Sequence, residues 1–108
     1  MSKKRKQKQL SSKQVSYLRG LGHHLSPIVM LGKEGISDTV LKSVEEVLIA
    51  HELVKMKIQD NCPIDRQEAA KTIADRTGAA LVQIIGKMFL LFRENQEQKE
   101  DHKIKLPV

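Results

Sequence analysis

A glycine, a lysine, a glutamate and a second glycine follow one another at Gly32, Lys33, Glu34 and Gly35. Glycines so placed let a backbone turn tightly and come close to a ligand, and Lys33 adds a cation at the tip. An apolar-periodic stretch follows, so the turn is expected to feed directly into a helix N-terminus. There, free N–H groups and the positive end of the helix dipole attract phosphate. A loop of this GxxG pattern is how KH modules clamp a nucleic-acid backbone. The same four residues also suit a plain strand-to-helix turn. Lys13 and Arg19 before the loop, and Lys55 and Lys57 after it, are candidate phosphate contacts. Each also fits an ordinary solvated surface.

Other chemistry is poorly supplied. Cys62 is the single cysteine, so neither an internal disulfide nor a cysteine-built zinc site is available. It stands beside Pro63 with no histidine at motif spacing and reads as a loop thiol. His23 and His24 are adjacent at a helix end, where neighbouring side chains point about 100° apart. That is a poor metal geometry, and a capping or phosphate-contacting role suits them better. No Gly-x-x-x-x-Gly-Lys-Ser/Thr phosphate loop occurs, and Gly20-Leu21-Gly22 ends a helix without a third glycine. The residues therefore point away from an enzyme, with no catalytic group, metal or cofactor expected.

The elements that position these residues can be read from periodicity. Ser11 and Ser12 offer N-caps for a helix ending near His23 or His24, with Val15, Leu18 and Leu21 or Leu25 at helical spacing. Leu25-Ser26-Pro27 breaks it. The run 27–31 is short and apolar, the mark of a buried strand. Ser37 caps a second helix, Ile36 and Leu41 are placed for a hydrophobic staple, and Val40, Leu41, Val44, Val47 and Leu48 form its buried stripe. Glu45, Glu46 and Glu52 are assigned to its wet side. Residues 53–58 alternate with period two, putting Val54, Met56 and Ile58 on one face and Lys55 and Lys57 on the other. A third helix starts between Pro63 and Asp65, with Asp65 and Glu68 spaced for a capping box. It carries a small-residue face of Ala69, Ala70, Ile73 and Ala74, and it stops at Gly78. Two apolar runs, 80–85 and 88–93, separated by Gly86-Lys87, read as a hairpin.

The order α-β-α-β-α-β-β predicts an α/β fold: a two-layer sandwich with a four-stranded mixed sheet. Helices largely on one face would leave the other face partly open. Residues 94–102 are expected to fray, and Ile104, Leu106 and Val108 could dock at an edge.

Lys and Arg number 19 against 13 Asp and Glu in 108 residues, a formal charge of +6. Such an excess points to polyanions, yet five of those cations lie in the first nine residues, which hold no acid. From Leu10 onward the balance is 14 to 13, a net +1. Residues 1–9 are accordingly expected to be a disordered basic arm. Tyr17, Phe89 and Phe92 are the only aromatic residues, which argues against a row of stacking rings. No apolar run nears the roughly 18 residues of a membrane span, and no apolar segment backs the N-terminal charges as in a signal peptide. A soluble, cytoplasmic protein without a membrane partner is expected.

Several spaced motifs occur in order: Ser12-Lys13-Gln14, Leu18-Arg19-Gly20-Leu21-Gly22-His23, Leu25-Ser26-Pro27, Leu31 to Ile36 across the loop, Gln83 to Lys87, and Leu91-Phe92-Arg93. Together they resemble the YhbY family of bacterial RNA-binding proteins, a stand-alone form of the CRM (chloroplast RNA splicing and ribosome maturation) domain. The resemblance spans roughly residues 11–93, and Lys105-Leu106-Pro107 is similar to the family's ending. It implies a fold similar to the C-terminal domain of bacterial translation initiation factor 3, with the GxxG loop between the first strand and the next helix. It also implies association with ribosomal RNA or with precursors of the large ribosomal subunit, in ribosome assembly. The family's loop falls on Gly32, Lys33, Glu34 and Gly35, while Arg19 and His23 match its first-helix pattern. Gly22 stands where alanine is usual and Phe92 where tyrosine is common; the first departure would loosen the helix end.

The sequence therefore predicts a non-catalytic, monomeric RNA-binding protein that takes no small-molecule substrate. Its domain is placed at 10–93, between the basic arm and a polar C-terminal tail over 94–108. Lys13, Lys55 and Lys57 would extend the contacts of the loop. The near-neutral body leaves an alternative open: a protein-interaction module on ribosomal particles without direct RNA contact.

Overall fold

The computed structural model describes residues 9–108; the arm expected over 1–9 lies, apart from Gln9, outside the described residues. The chain runs α1 (Ser12–His23), β1 (Val29–Leu31), α2 (Asp38–His51), β2 (Leu53–Ile58), α3 (Arg66–Thr77), β3 (Ala80–Ile85) and β4 (Met88–Phe92), then a 3-10 turn at Glu100–His102. The sheet order is β1-β2-β4-β3, with β1 and β2 parallel and β4 antiparallel to both its neighbours. This is the mixed four-stranded sheet that the element order predicts. None of the helices among the described residues is long and apolar enough to cross a membrane.

The boundaries have local causes. The Ser11 hydroxyl accepts the Gln14 N–H, while the Gln14 side chain accepts the N–H of Ser11, so two orphan donors of α1 are satisfied reciprocally. The sequence reading places such a pair at Asp65 and Glu68. There the Asp65 carboxylate accepts the N–H groups of Gln67 and Glu68, which is the capping half of that arrangement. Ser37 caps α2 through the Val40 N–H, and Ile36 and Leu41 both pack on the core as a staple requires. Gly78 ends α3 at φ 74° and Gly86 turns the hairpin at φ 58°, conformations that cost glycine little.

Strand alternation divides the apolar residues between two faces. On one, Leu31, Val54, Met56, Phe89 and Leu91 pack with Val44 and Leu48 of α2 and with Ala69, Ala70 and Ile73 of α3. Each large side chain buried there is worth roughly 1.5–3 kcal/mol. The expected placement of helices on one face holds for α2 and α3. Helix α1 crosses to the other side, where Leu18 is fully buried among Leu53, Val82, Leu90 and Phe92. A register shift between Leu81 and Gln83 inserts Val82 on that side, as a bulge does. The open area is therefore smaller than helices on one face alone would leave.

The C-terminal stretch departs from expectation, and the cause is Glu52. Assigned from helical periodicity to the wet side of α2, it is fully buried. It sits one residue past the helix in the left-handed region, at φ 67°, so the wheel of α2 no longer sets its direction. Its carboxylate accepts the N–H groups of Asn95 and Ile104, both at 2.7 Å, and its carbonyl accepts the N–H of Arg93 at 2.8 Å. The side chains of Asn95 and Gln98 donate to the carbonyls of Ile49 and Ala50, partners for the last-turn groups that a helix leaves unsatisfied. Residues 94–102 are thus tethered, where the sequence reading has them fray. Ile104 and Leu106 join the cluster beneath α1, on the face of the sheet, while Val108 stays exposed. Glu45 also leaves the wet side: Arg93 grips it with two bonds of 2.7 and 2.8 Å and donates to the Thr77 carbonyl at 2.7 Å.

Candidate nucleic-acid interface

The GxxG turn closes with the Gly35 N–H donating to the Gly32 carbonyl at 3.0 Å. Gly35 sits at φ 64°, and a Cβ on Gly32 would come within 2.8 Å of Gln59 Oε1. Gly35 therefore uses a conformation that suits glycine, while Gly32 packs closely against the end of the Gln59 side chain. Lys33 and Glu34 are exposed at the tip. The loop does not feed α2 directly: Ile36 and Ser37 intervene. The Ser37 hydroxyl already takes the Val40 N–H, and the Asp38 carboxylate stands in the first turn. Both weaken the pull of that helix end on a phosphate. What the loop offers an anion is its own backbone and Lys33, with the Glu34 charge opposing.

A second feature lies on the α1 side of the sheet. Ser16, Arg19, Gly20 and His23 stand at i, i+3, i+4 and i+7, one face of the helix. They face Gln83, Ile85 and Met88 across a groove of about 410 Å³. On the helix's inner side Gly22 lets its backbone lie directly on β4, since a Cβ there would meet Leu90 Cδ1 at 2.3 Å. Lys13 is exposed one turn before Ser16, on the continuation of the groove-facing side and outside the groove itself.

The two lysines of β2 have different surroundings. The Lys55 ammonium donates to the carbonyls of Gly22 and Leu25, at 3.2 and 3.1 Å. It ties the C-terminal end of α1 to the sheet, where a cation also suits the helix dipole, and it forms part of the groove wall. Lys57 points to the open face and lines a separate hollow with Gln59, Asp60, Asn61 and Lys87. Lys87 pairs with Asp60. The hydrogen bond and charge of Lys87, with Lys57 adding to the field, hold the Asp60 carboxyl below the usual carboxylate range.

Arg19, His23 and Lys55 thus meet at one groove, and Lys57 stands in the hollow whose Gln59 touches the loop glycine. Lys33 is outside that hollow, on the loop whose Gly32 lies against Gln59; Lys13 stands apart. The sequence reading missed Gln83, Ile85, Lys87 and Met88 as lining residues. The two-residue turn at Gly86-Lys87 already pairs Ile85 with Met88, and period two puts both on the side of Lys57. The rings of His23 and His24 meet edge to face at 5.5 Å. Among the described residues no group of three or more His, Cys, Asp or Glu could hold a metal ion.

Residues 10–93 match the family model of the CRS1/YhbY (CRM) domain. The chain belongs to the CRM domain family. It is 38% identical over 98 residues to "Probable RNA-binding protein YqeI" of Bacillus subtilis, covering 91% of this chain and 99% of that one. A Haemophilus influenzae relative named "RNA-binding protein" is 42% identical over 90 residues, 83% of this chain and 91% of its own. The solution structure of SAV1595 from Staphylococcus aureus superimposes with a TM-score of 0.74 at 39% identity, covering 92% of this chain and all of that one. The matched CRM domain contains the GxxG loop, the α1 groove and the Lys57 hollow. The partners of Glu52 at Asn95 and Ile104 lie beyond it.

Proposed function

We propose that this protein is a non-catalytic RNA-binding protein, acting on ribosomal RNA or on precursors of the large ribosomal subunit during their assembly. The observation that carries the RNA reading is the groove in which Arg19, His23 and Lys55 converge over the open sheet face, continued by Lys57 toward the GxxG loop. The names of the relatives support it, and the ribosomal part rests on the family resemblance. In this reading the loop backbone and Lys33 hold one stretch of phosphates, Arg19 and His23 hold another, and Lys57 lies between. Lys55 mainly fixes the end of α1, and Lys13 and the N-terminal arm add affinity without specificity. Partners are RNA alone, bound by a cytoplasmic monomer, with no cofactor.

The test is a titration of a large-subunit ribosomal RNA fragment against salt. It uses a background in which Lys3, Lys4, Arg5, Lys6 and Lys8 are changed to Gln, so that the body is measured without its arm. Arg19→Ala with Lys33→Ala should lower affinity at least tenfold and flatten the salt slope by about 1 for each phosphate no longer held. An unchanged affinity and slope would overturn the assignment of these residues. A second reading, docking to a ribosomal protein, is favoured by one observation: an apolar cleft lined by Leu21, Leu25, Ile28, Val47 and Leu53. Leu25 is 40% and Ile28 59% exposed there.

A further inference from the structure

We infer that the uncovered part of the sheet receives the faces of unpaired RNA bases, so that this protein prefers RNA with unpaired nucleotides to continuous duplex. The inference deepens the RNA-binding reading and rests on it. Strand pairing sets Met30 beside Lys57, Lys57 beside Met88 and Met88 beside Ile85. The four form one row across the whole sheet. Their neighbours along the strands, Leu31, Met56, Phe89 and Ile84, pack on the opposite side with α2 and α3. Period two therefore fixes the row on the face that α1 leaves uncovered. Met30 is 44% and Ile85 60% exposed. With strands about 4.8 Å apart, the row is about 14 Å long.

An apolar strip on a sheet could serve many partners, and here its borders choose among them. Arg19 and His23 overlook Met88 and Ile85 from α1, Lys57 interrupts the row itself, and the Lys33 loop adjoins the hollow at its end. An apolar protein face laid on the strip would bury those cations without partners, which is costly. An RNA strand presents phosphates to the cations and flat apolar bases to the strip at the same time. The bases of a duplex are stacked on one another, and A-form RNA shows a protein mainly its backbone and shallow minor groove. Away from helix ends, only unpaired nucleotides can lay their faces on Met30, Met88 and Ile85. The strip itself holds no aromatic ring: Phe89 and Phe92 are buried, and the exposed Tyr17 belongs to α1. Methionine sulfur against an aromatic face supplies a weaker equivalent.

The experiment compares two RNAs with the full chain: a blunt, fully paired duplex, and a hairpin with the same stem closed by an adenine loop. The hairpin should bind more tightly. Met30→Thr with Ile85→Thr should cost it roughly three- to tenfold, a larger loss than the duplex suffers, so that the preference for the hairpin shrinks. In the unaltered protein, NMR should show the Met30 and Met88 methyl resonances moving upfield with the hairpin, from base ring currents. The buried Met56 methyl is the internal control. That readout stands even if the double variant folds poorly. Equal affinities for the two RNAs, or unmoved methionine methyls with hairpin bound, would overturn the inference and leave RNA binding intact. Binding to neither RNA would overturn both.

Discussion

On the α2–α3 side of the sheet the strand residues are apolar and largely buried, from Val29 and Leu31 across Met56 to Phe89 and Leu91. On the α1 side the same strands bring up Lys55, Lys57 and Gln83 beside Leu53, Leu90 and Phe92, and leave Met30 and Ile85 exposed. One face is closed by two helices; the other is covered at one end by α1 and the C-terminal segment. The difference shows how a small chain can separate stability from recognition without a second domain. Period-two alternation lets one set of strands serve both ends, because substitutions on one face need not disturb the other. The basic residues divide in the same way. Arg93 and Lys55 act within the fold, gripping Glu45 and the α1 carbonyls, whereas Arg19 and Lys33 are exposed.

Substitutions can break this contrast directly. The largest effect is expected from Leu48→Ala, which opens a cavity in the closed face. It should cost about 2–5 kcal/mol in urea unfolding, whereas Ile85→Thr on the open face should stay within about 0.5 kcal/mol. Comparable losses would show that the open face carries stability as well.

Glu52 comes next. Glu52→Ala leaves the N–H groups of Asn95 and Ile104 without their acceptor, a loss of about 2–3 kcal/mol. Glu52→Gly loses the same bonds and relieves the left-handed backbone, so it should be the milder change by about 1 kcal/mol. Equal losses in the two variants would mean that the backbone conformation carries no cost.

The smallest effect concerns Asp60 and Lys87. Because the folded carboxyl titrates below its unfolded value of about 3.9, the pair adds stability above that pH. The gain is lost as pH falls through the depressed folded value. Both groups are exposed, so the change in stability should be slight. NMR titration should instead show the Asp60 carboxyl returning toward the ordinary value in Lys87→Ala.

Most of the closed face is legible in the sequence, since it obeys periodicity: the stripe of α2, the alanines of α3 and the alternation of β2 all face where their spacing puts them. The GxxG turn is legible too, as a local pattern. Glu52 is not, because one left-handed residue after a helix reverses the chain and makes the helical wheel misleading. The side taken by α1 is not legible either, because its amphipathic pattern would fit either face of the sheet. The open row of Met30, Lys57, Met88 and Ile85 depends on the strand order, which places β4 between β2 and β3. Along the chain Met30, Lys57 and the Ile85–Met88 pair stand far apart.

Glu52 also bears on where this chain can be divided. The family match ends at Arg93, but the buried carboxylate finds its hydrogen-bond donors at Asn95 and Ile104, and Pro107 accepts a bond from Gln14 of the first helix. A fragment cut at the family boundary would keep the loop and the groove yet take both N–H donors away from the Glu52 carboxylate. The stretch that the family model matches is thus shorter than the unit these contacts join, and the residues after it serve as the clasp.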